Sequence, residues 1–499
     1  MKTFKNILLL LVLAALLVSG CESLDVKNEN DPDFATAFSK GSDVKGVAGG
    51  LINTWYTYTT AYNGPGLALL VGSDAGTCSH GNAAMRDFSY EPRIAWDNTP
   101  AYSNAIITEN FYKGLYSLLS SSNEILTKVV TGGMVIEGDN DTDDTPMVQA
   151  VAYLGQGLAL GYVGLFFDKG FITTETTDLT EVVPISTYKE LIDAALISLD
   201  KCIEVCESNT FTFPSSWIPG RTYTQKEVGE LANTMAARFL SYSPRNKADN
   251  DALDWSKVLG YANKGLTFDF SPENDSWVSW YGEYQDYANA AGWGRVDMRL
   301  ANMMDPAMPA RWTLGADQWA ALPSPTFSHK TGVDDRIFTD FEFLSSCTFR
   351  VERGYYHYSC YRFKVYETFH SDGAGPMPVI KKVENDMLKA EALLHTSSVS
   401  AAADIVNAGT RITRGKLAPV AANATDVEAA IWHERFIELY CTAMGNEFCF
   451  MRKADKLQPG TPLHFPIPGQ QLEVNLMDSY SFGPDLGVGG QDYSSGGWF

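Results

Sequence analysis

The sequence predicts a mainly α-helical protein of stacked helix pairs, with one loop-rich aromatic insertion and minor β-structure. Three observations carry this. Apolar residues recur at helical spacing through most of 103–265 and again after 380. Alanine and glycine crowd those same stretches, as they do where paired helices approach closely in tetratricopeptide-type solenoids, although no fixed repeat length can be aligned. Between 266 and 380 the periodicity fades, Pro and Gly become frequent, and Trp277, Trp280, Trp293, Trp312 and Trp319 gather.

In chain order, Lys2 and Lys5 precede an apolar run from Ile7 to Val18 and the tetrad Val18-Ser19-Gly20-Cys21. The run is short for a bilayer span and suits a secretory signal. The tetrad matches a bacterial lipobox, so residues 1–20 are expected to be a lipoprotein signal peptide and Cys21 the lipidated new N-terminus. Two or three acyl chains hold a protein stably on a membrane. Residues 21–499 are then expected to fold outside the cytoplasm as one domain: helical repeats over 21–265, the loop-rich insertion over 266–380, and C-terminal helices with an extended tail over 381–499. The stretch "ESLDVKNENDPDF" reads as a short polar leash.

Residues 103–130 carry Phe111, Leu115, Leu118, Leu119, Ile125 and Leu126 at helical spacing. After the acidic loop "EGDNDTDDTP" comes an uncharged stretch, Thr145 to Phe167, long enough to raise a membrane span. Gln149, Gln156 and four glycines (Gly155, Gly157, Gly161, Gly164) favour instead a helix packed among others. "STYKELIDAALISLDKCIEVCE" reads as an amphipathic helix with a Ser cap, and Thr224 with Glu227 reads as a capping box opening another. A short helix follows from Asp254 toward Gly265. Within the insertion, "YRFKVYETF" (Tyr361–Phe369) alternates like a strand, with "FRVERGYYHY" as its expected hairpin partner.

The chain is 45% hydrophobic and 20% charged, the balance of a globular protein. Its net charge of −22 repels nucleic acid and anionic lipid headgroups, so neither is an expected partner. With 11 Trp, 24 Tyr and 26 Phe, it suits neutral polar ligands better than anionic ones. Of the eight cysteines Cys21 is committed to lipid, and the others read mostly as small core residues, with one disulfide possible. No cofactor fingerprint is present.

Two motifs fail on inspection. "HERFIE" places Ile437 where a zinc protease needs its second histidine. Glu434 and Glu438 lie side by side one turn apart, whereas glycosidase carboxylates flank the sugar bond from opposite sides. Glu434 or Arg435 is therefore expected to hold neighbouring helices through buried polar bonds. Asp139, Asp141 and Asp143 alternate as in calcium loops, but an EF-hand needs Gly and Glu where Asp144 and Ala150 stand. They remain a weak calcium candidate, and a solvated acidic loop is the default.

Sugar rings stack their C–H faces on aromatic rings while their hydroxyls bond polar side chains. Three segments combine these groups outside the confident helices. "YEPRIAWDNTPAY" offers Trp96 with Asn98; "WVSWYGEYQDY" offers Trp277, Trp280 and Tyr281; "ADQWAAL" offers Trp319. These six residues are the candidate ligand contacts, each with core packing as its alternative.

The stretch "IWHERFIELYCTAMGNEFCFMRKADKL", followed by "LHFPIPGQQLEVN", resembles the C-terminal region of the SusD/RagB family of bacterial outer-membrane nutrient-uptake lipoproteins. The family's glutamate–arginine pair and second glutamate fall on Glu434, Arg435 and Glu438. Its aromatic and basic stretch falls on Phe448 and Arg452, and its "PIP" segment and closing asparagine on Pro466-Ile467-Pro468 and Asn475. "GLYSLLSSSNEIL", "VAYLGQGLALGYVGLFFDKGFI", "GRTYTQKEVGELANTMAARFL" and "KAEALLHTSSVSAAADIVNAGTRI" agree in order, and the lipobox sits where the family has one. The resemblance is weakest over 266–345. Met444-Gly445-Asn446-Glu447 departs from the family's "GxR" turn, and the early proline appears only as Pro32, which bears on ligand more than fold.

The resemblance implies a helical body of four tetratricopeptide-like pairs and an irregular part that carries the binding site. It also implies a lipid anchor at the cell surface of the outer membrane. The expected partners are a SusC-like TonB-dependent transporter and an oligosaccharide ligand; no enzymatic activity and no cofactor are expected. A peptide-binding member of the family, a lipid-tethered glycoside hydrolase and a ligand-free helical scaffold are the alternatives.

Overall fold

Each long helix lies against the next one in the chain and often the one after. The computed structural model describes residues 38–78, 81–90, 93–310, 330–345 and 358–482. Its principal helices are α1 (Gly41–Thr60), α2 (Ile106–Leu126), α3 (Thr145–Phe166), α4 (Tyr188–Ser208), α5 (Gln225–Tyr242) and α6 (Trp255–Ala262). They continue with α7 (Glu283–Asn289), α8 (Lys382–His395), α9 (Val399–Ala408), α10 (Ala424–Ile437) and α11 (Asn446–Lys453). Helix α1 packs on α2 and α3, α3 on α4 and α5, α5 on α6, α6 on α8, and α8 on α9 and α10. The fold is thus mainly α, as expected, with α1/α2, α3/α4, α5/α6 and α8/α9 stacked in sequence.

Local chemistry sets the helix ends. Thr224 and Glu227 form the expected capping box. At α4 the cap is Thr187 rather than the neighbouring serine: Glu190 Oε2 accepts the Thr187 N–H at 2.7 Å and Thr187 Oγ1 accepts the Glu190 N–H. Asp254 caps α6. Helix α3 is long and apolar enough to cross a membrane, yet 94% of its apolar window is buried in the protein. Its glycines explain the fit. A Cβ on Gly161 would lie 2.1 Å from the Phe239 ring of α5, and one on Gly155 would lie 2.6 Å from Ser122 Oγ of α2. The last carbonyls of α3 lack partners within the helix. Arg245 donates to Gly164 O and Leu165 O at 2.7 and 2.8 Å, and Arg452 to Leu165 O at 2.9 Å. Cations at a helix C-terminus also complement its dipole.

Strands among the described residues pair only in two-stranded antiparallel sheets. Tyr361–Phe363 pairs with Phe341–Phe343. All three residues of Tyr361–Phe363 are buried, so the alternation read from the sequence did not mark one wet and one dry face. The strand stops where Lys364 N–H bonds Asp340 O, and Glu367–Asp372 is helical. Of the expected hairpin partner, Tyr358 forms a bridge with Asp297, and 349–357 lie outside the described residues.

Buried ion pairs join the C-terminal helices to the rest. Arg336 contacts Asp334 at 2.6 Å, Glu434 at 2.7 Å and Glu438 at 3.1 Å. Glu391 of α8 receives Arg435 at 2.6 Å and Lys453 at 2.7 Å. Glu434 and Arg435 therefore have the inter-element role expected of them, and Glu434 and Glu438 point at one guanidinium rather than into a cleft. Cys202, Cys206, Cys360, Cys441 and Cys449 are buried free thiols.

Candidate functional site

Three separate stretches of chain meet around one open cleft of about 540 Å³. The turn after α1 brings Tyr62 and Asn63, the turn after the strand Gly76–Cys78 brings Asn82, and the segment around α7 brings the rest. Glu283, Asp286 and Tyr287 are spaced i, i+3 and i+4, which places them on one face of α7. Tyr281 precedes that helix and Trp293 follows it, and all five line the cleft. Gln285 anchors the opposite side of α7, its amide donating to Thr442 O at 3.1 Å.

The aromatic rings support one another. Tyr62 and Tyr287 centroids are 5.6 Å apart, and Tyr287 and Trp293 are 5.2 Å apart. Tyr281 stacks on Phe369 at 5.8 Å and meets Trp277 edge-on at 6.0 Å. Trp293 and Trp277 keep 44% and 52% of their surface exposed.

Polar groups between the rings are fixed. Glu283 Oε2 accepts the Tyr62 N–H at 2.6 Å. The Asp286 carboxylate accepts the Tyr281 hydroxyl and contacts His370 Nδ1. Burial, then the Asp286 contact, pushes the Tyr281 phenol well above its ordinary value, so it remains a donor at neutral pH. The cleft thus offers aromatic faces flanked by Asn63, Asn82, Glu283 and Asp286, the combination a polyhydroxylated ring needs.

The residues singled out from sequence fall in different places. Tyr281 lines the cleft and Trp277 is exposed beside it. Trp96 is not a surface platform: it is 1% exposed, edge-on to Tyr102 at 4.9 Å and to Phe465 at 5.2 Å. Asn98 is also buried, its amide donating to Ile467 O and Tyr480 O, both at 2.9 Å, so it secures the segment after the PIP turn. Trp280 is 7% exposed and packs on Tyr56 at 4.9 Å. Trp319 and Cys21 lie outside the described residues.

The calcium candidate does not assemble: Asp143 Oδ1 accepts the Thr145 N–H at 2.9 Å at the start of α3. Asp139, Asp141 and Asp143 form no ligand cluster, and none of three or more His, Cys, Asp or Glu occurs among the described residues. Sequence reasoning missed Tyr62, Asn63, Asn82, Glu283, Asp286 and Trp293 as site members. The polar and aromatic face of "EYQDY" was a readable signal; the arrival of Tyr62 and Asn82 beside it was not.

The scaffold is a helix-pair solenoid that carries an open aromatic cleft. Among solved structures it is similar to a SusD superfamily protein from Parabacteroides distasonis, with TM-score 0.61 at 14% identity over 87% of this chain and 97% of that one. A SusD-like carbohydrate binding protein from Bacteroides vulgatus matches with TM-score 0.54 at 15% identity over 83% of each chain. A structure with xylogluco-oligosaccharide matches with TM-score 0.53 at 12% identity, over 82% of this chain and 83% of that one. The chain has the SusD-superfamily fold. No family sequence model matches it, and no curated protein matches it.

Proposed function

We propose that this protein is a cell-surface lipoprotein that captures an oligosaccharide in the aromatic cleft and passes it to a SusC-like TonB-dependent outer-membrane transporter. The observation that carries the reading is the meeting of Tyr62, Tyr281, Tyr287 and Trp293 with Asn63, Asn82, Glu283 and Asp286 around one space of about 540 Å³. Aromatic faces stack on the C–H faces of a sugar, and the amides and carboxylates take its hydroxyls. Trp277 and Tyr281 extend that surface at the rim. Two proteins of similar fold support it, one described as carbohydrate binding and one solved with xylogluco-oligosaccharide.

The function is capture without chemistry. Glu434 pairs with Arg336, and Glu438 with Arg336 and Arg414, inside the protein, and neither lines the cleft. The lipobox supports a lipid tether at Cys21, and in this reading the cleft faces the outside of the cell on the outer membrane. A soluble form lacking residues 1–21, screened on an array of neutral and charged oligosaccharides, is expected to give binding that Trp293→Ala weakens about tenfold or more. An array with no bound glycan would refute the reading.

A further inference from the structure

Trp277 is held at the cleft rim by an unusual backbone. Ser276 and Trp277 are consecutive non-glycine residues with φ of +61° and +66°. L-residues seldom adopt this left-handed region, and two in a row require an outside restraint. Asp275 supplies it. Its Oδ1 accepts the N–H groups of Val278 at 3.1 Å and of Ser279 and Trp280 at 2.9 Å, and its Oδ2 accepts that of Ser279 at 3.0 Å. Burial raises the Asp275 carboxyl, and those N–H groups outweigh it and hold the carboxyl below the usual range.

The other side of the turn is equally defined. Asp275 ends the strand Glu273–Asp275, which pairs with Ala374–Pro376, and Ser276 N–H donates to Gly373 O at 2.9 Å. Gly373 has φ of +64°, and a Cβ there would lie 2.4 Å from the Trp277 ring, so the indole rests directly on this glycine. The result of all this is a tryptophan left 52% exposed, next to the cleft-lining Tyr281. Core burial does not repay the strain at an indole half in solvent. Strained backbone persists where surrounding structure over-determines it, and such sites cluster at ligand clamps.

We propose that Asp275 is a positioning residue: it fixes the turn that presents the Trp277 indole as a preformed stacking platform for a sugar ring entering the cleft beside Tyr281. The proposal rests on the oligosaccharide reading for its ligand, but the platform itself is testable without one.

The test uses the full-length protein in detergent, labelled with 5-fluorotryptophan, with the Trp277 fluorine signal assigned from Trp277→Phe. Asp275→Ala is expected to shift and broaden that one signal. Asp275→Asn, whose side-chain carbonyl still accepts the same N–H groups, is expected to keep it in place. Titration with xylogluco-, cello-, malto- and manno-oligosaccharides follows. Both Asp275→Ala and Trp277→Ala are expected to weaken binding about tenfold, the scale of one lost stacking contact. The double variant is expected to bind no more weakly than Trp277→Ala alone, because Asp275 acts through Trp277. An unmoved Trp277 signal in Asp275→Ala, or effects that multiply in the double variant, would overturn the proposal. Should Asp275→Ala not fold, Asp275→Ser keeps a shorter acceptor and is expected to shift the signal part of the way; an unmoved signal there counts equally against it. Absence of wild-type binding to every oligosaccharide would refute the ligand reading, and the fluorine spectra would still decide the role of Asp275.

Discussion

Arg336 is fully buried and pairs with Asp334, Glu434 and Glu438 at once, so its removal takes the arginine from Asp334 and Glu434 inside the protein, while Glu438 keeps Arg414. Breaking a buried ion pair from one side costs about 3–5 kcal/mol. Arg336→Met is therefore expected to lower the urea midpoint sharply, while His433→Gln, beside the same Asp334, costs less because Arg336 remains. Glu447 presents the opposite case. It is buried, its Oε1 accepts the Cys441 N–H at 2.9 Å, its Oε2 has no partner, and burial raises its carboxyl to about 7. An acid raised in the folded state binds more protons folded than unfolded, so stability falls as pH climbs from the ordinary glutamate range through about 7. Glu447→Gln should be more stable than wild type at pH 8, by on the order of 2–3 kcal/mol, with the gap closing by pH 4. Melting curves across that range check it; a gap that does not change with pH would contradict it.

At the scale of elements, α3 is the most tightly specified piece. A methyl on Gly161 meets the Phe239 ring, so Gly161→Ala is expected to destabilise by about 1–3 kcal/mol, with Phe239→Leu in the same chain recovering part of the loss. A double-mutant cycle on denaturant midpoints measures this, and strict additivity would show that the two residues do not compete for space. The same glycines made α3 legible: small residues on several faces of an uncharged helix indicate neighbours on several sides. Long helices with periodic apolar residues or a capping box were legible for similar reasons. Strands were not. Phe341–Phe343 and Tyr361–Phe363 are three residues each and paired across a long sequence gap, and Tyr361–Phe363 is buried throughout while only Phe341 of its partner is, so neither length nor alternation identifies them. The tryptophans divide in the same way. Trp96 and Trp277 both stand among polar residues in sequence, yet Phe88, Tyr102 and Phe465 enclose the first and nothing comparable among the described residues covers the second. Those enclosing rings come partly from a segment far along the chain, which a local reading does not see.

For the whole molecule, the helical stack sets the positions of two turns and one short helix so that their aromatic and polar residues face a common space. Only the α7 segment of that site was apparent in the sequence, because the rest depends on how α1 and the Gly76–Cys78 strand pack beside it. The proposed tether is tested by Cys21→Ala, which is expected to move the protein out of the membrane fraction; retention equal to wild type would contradict it. The central claim is that the cleft between Tyr62 and Trp293 binds oligosaccharide. Calorimetric titration of the soluble form with the best glycan from the array, repeated with Trp293→Ala, tests it most directly. A half-exposed tryptophan contributes little to the core, so the melting temperature should hold while affinity falls about tenfold or more. Wild-type affinity in the Trp293→Ala protein, with its fold intact, would place the ligand elsewhere.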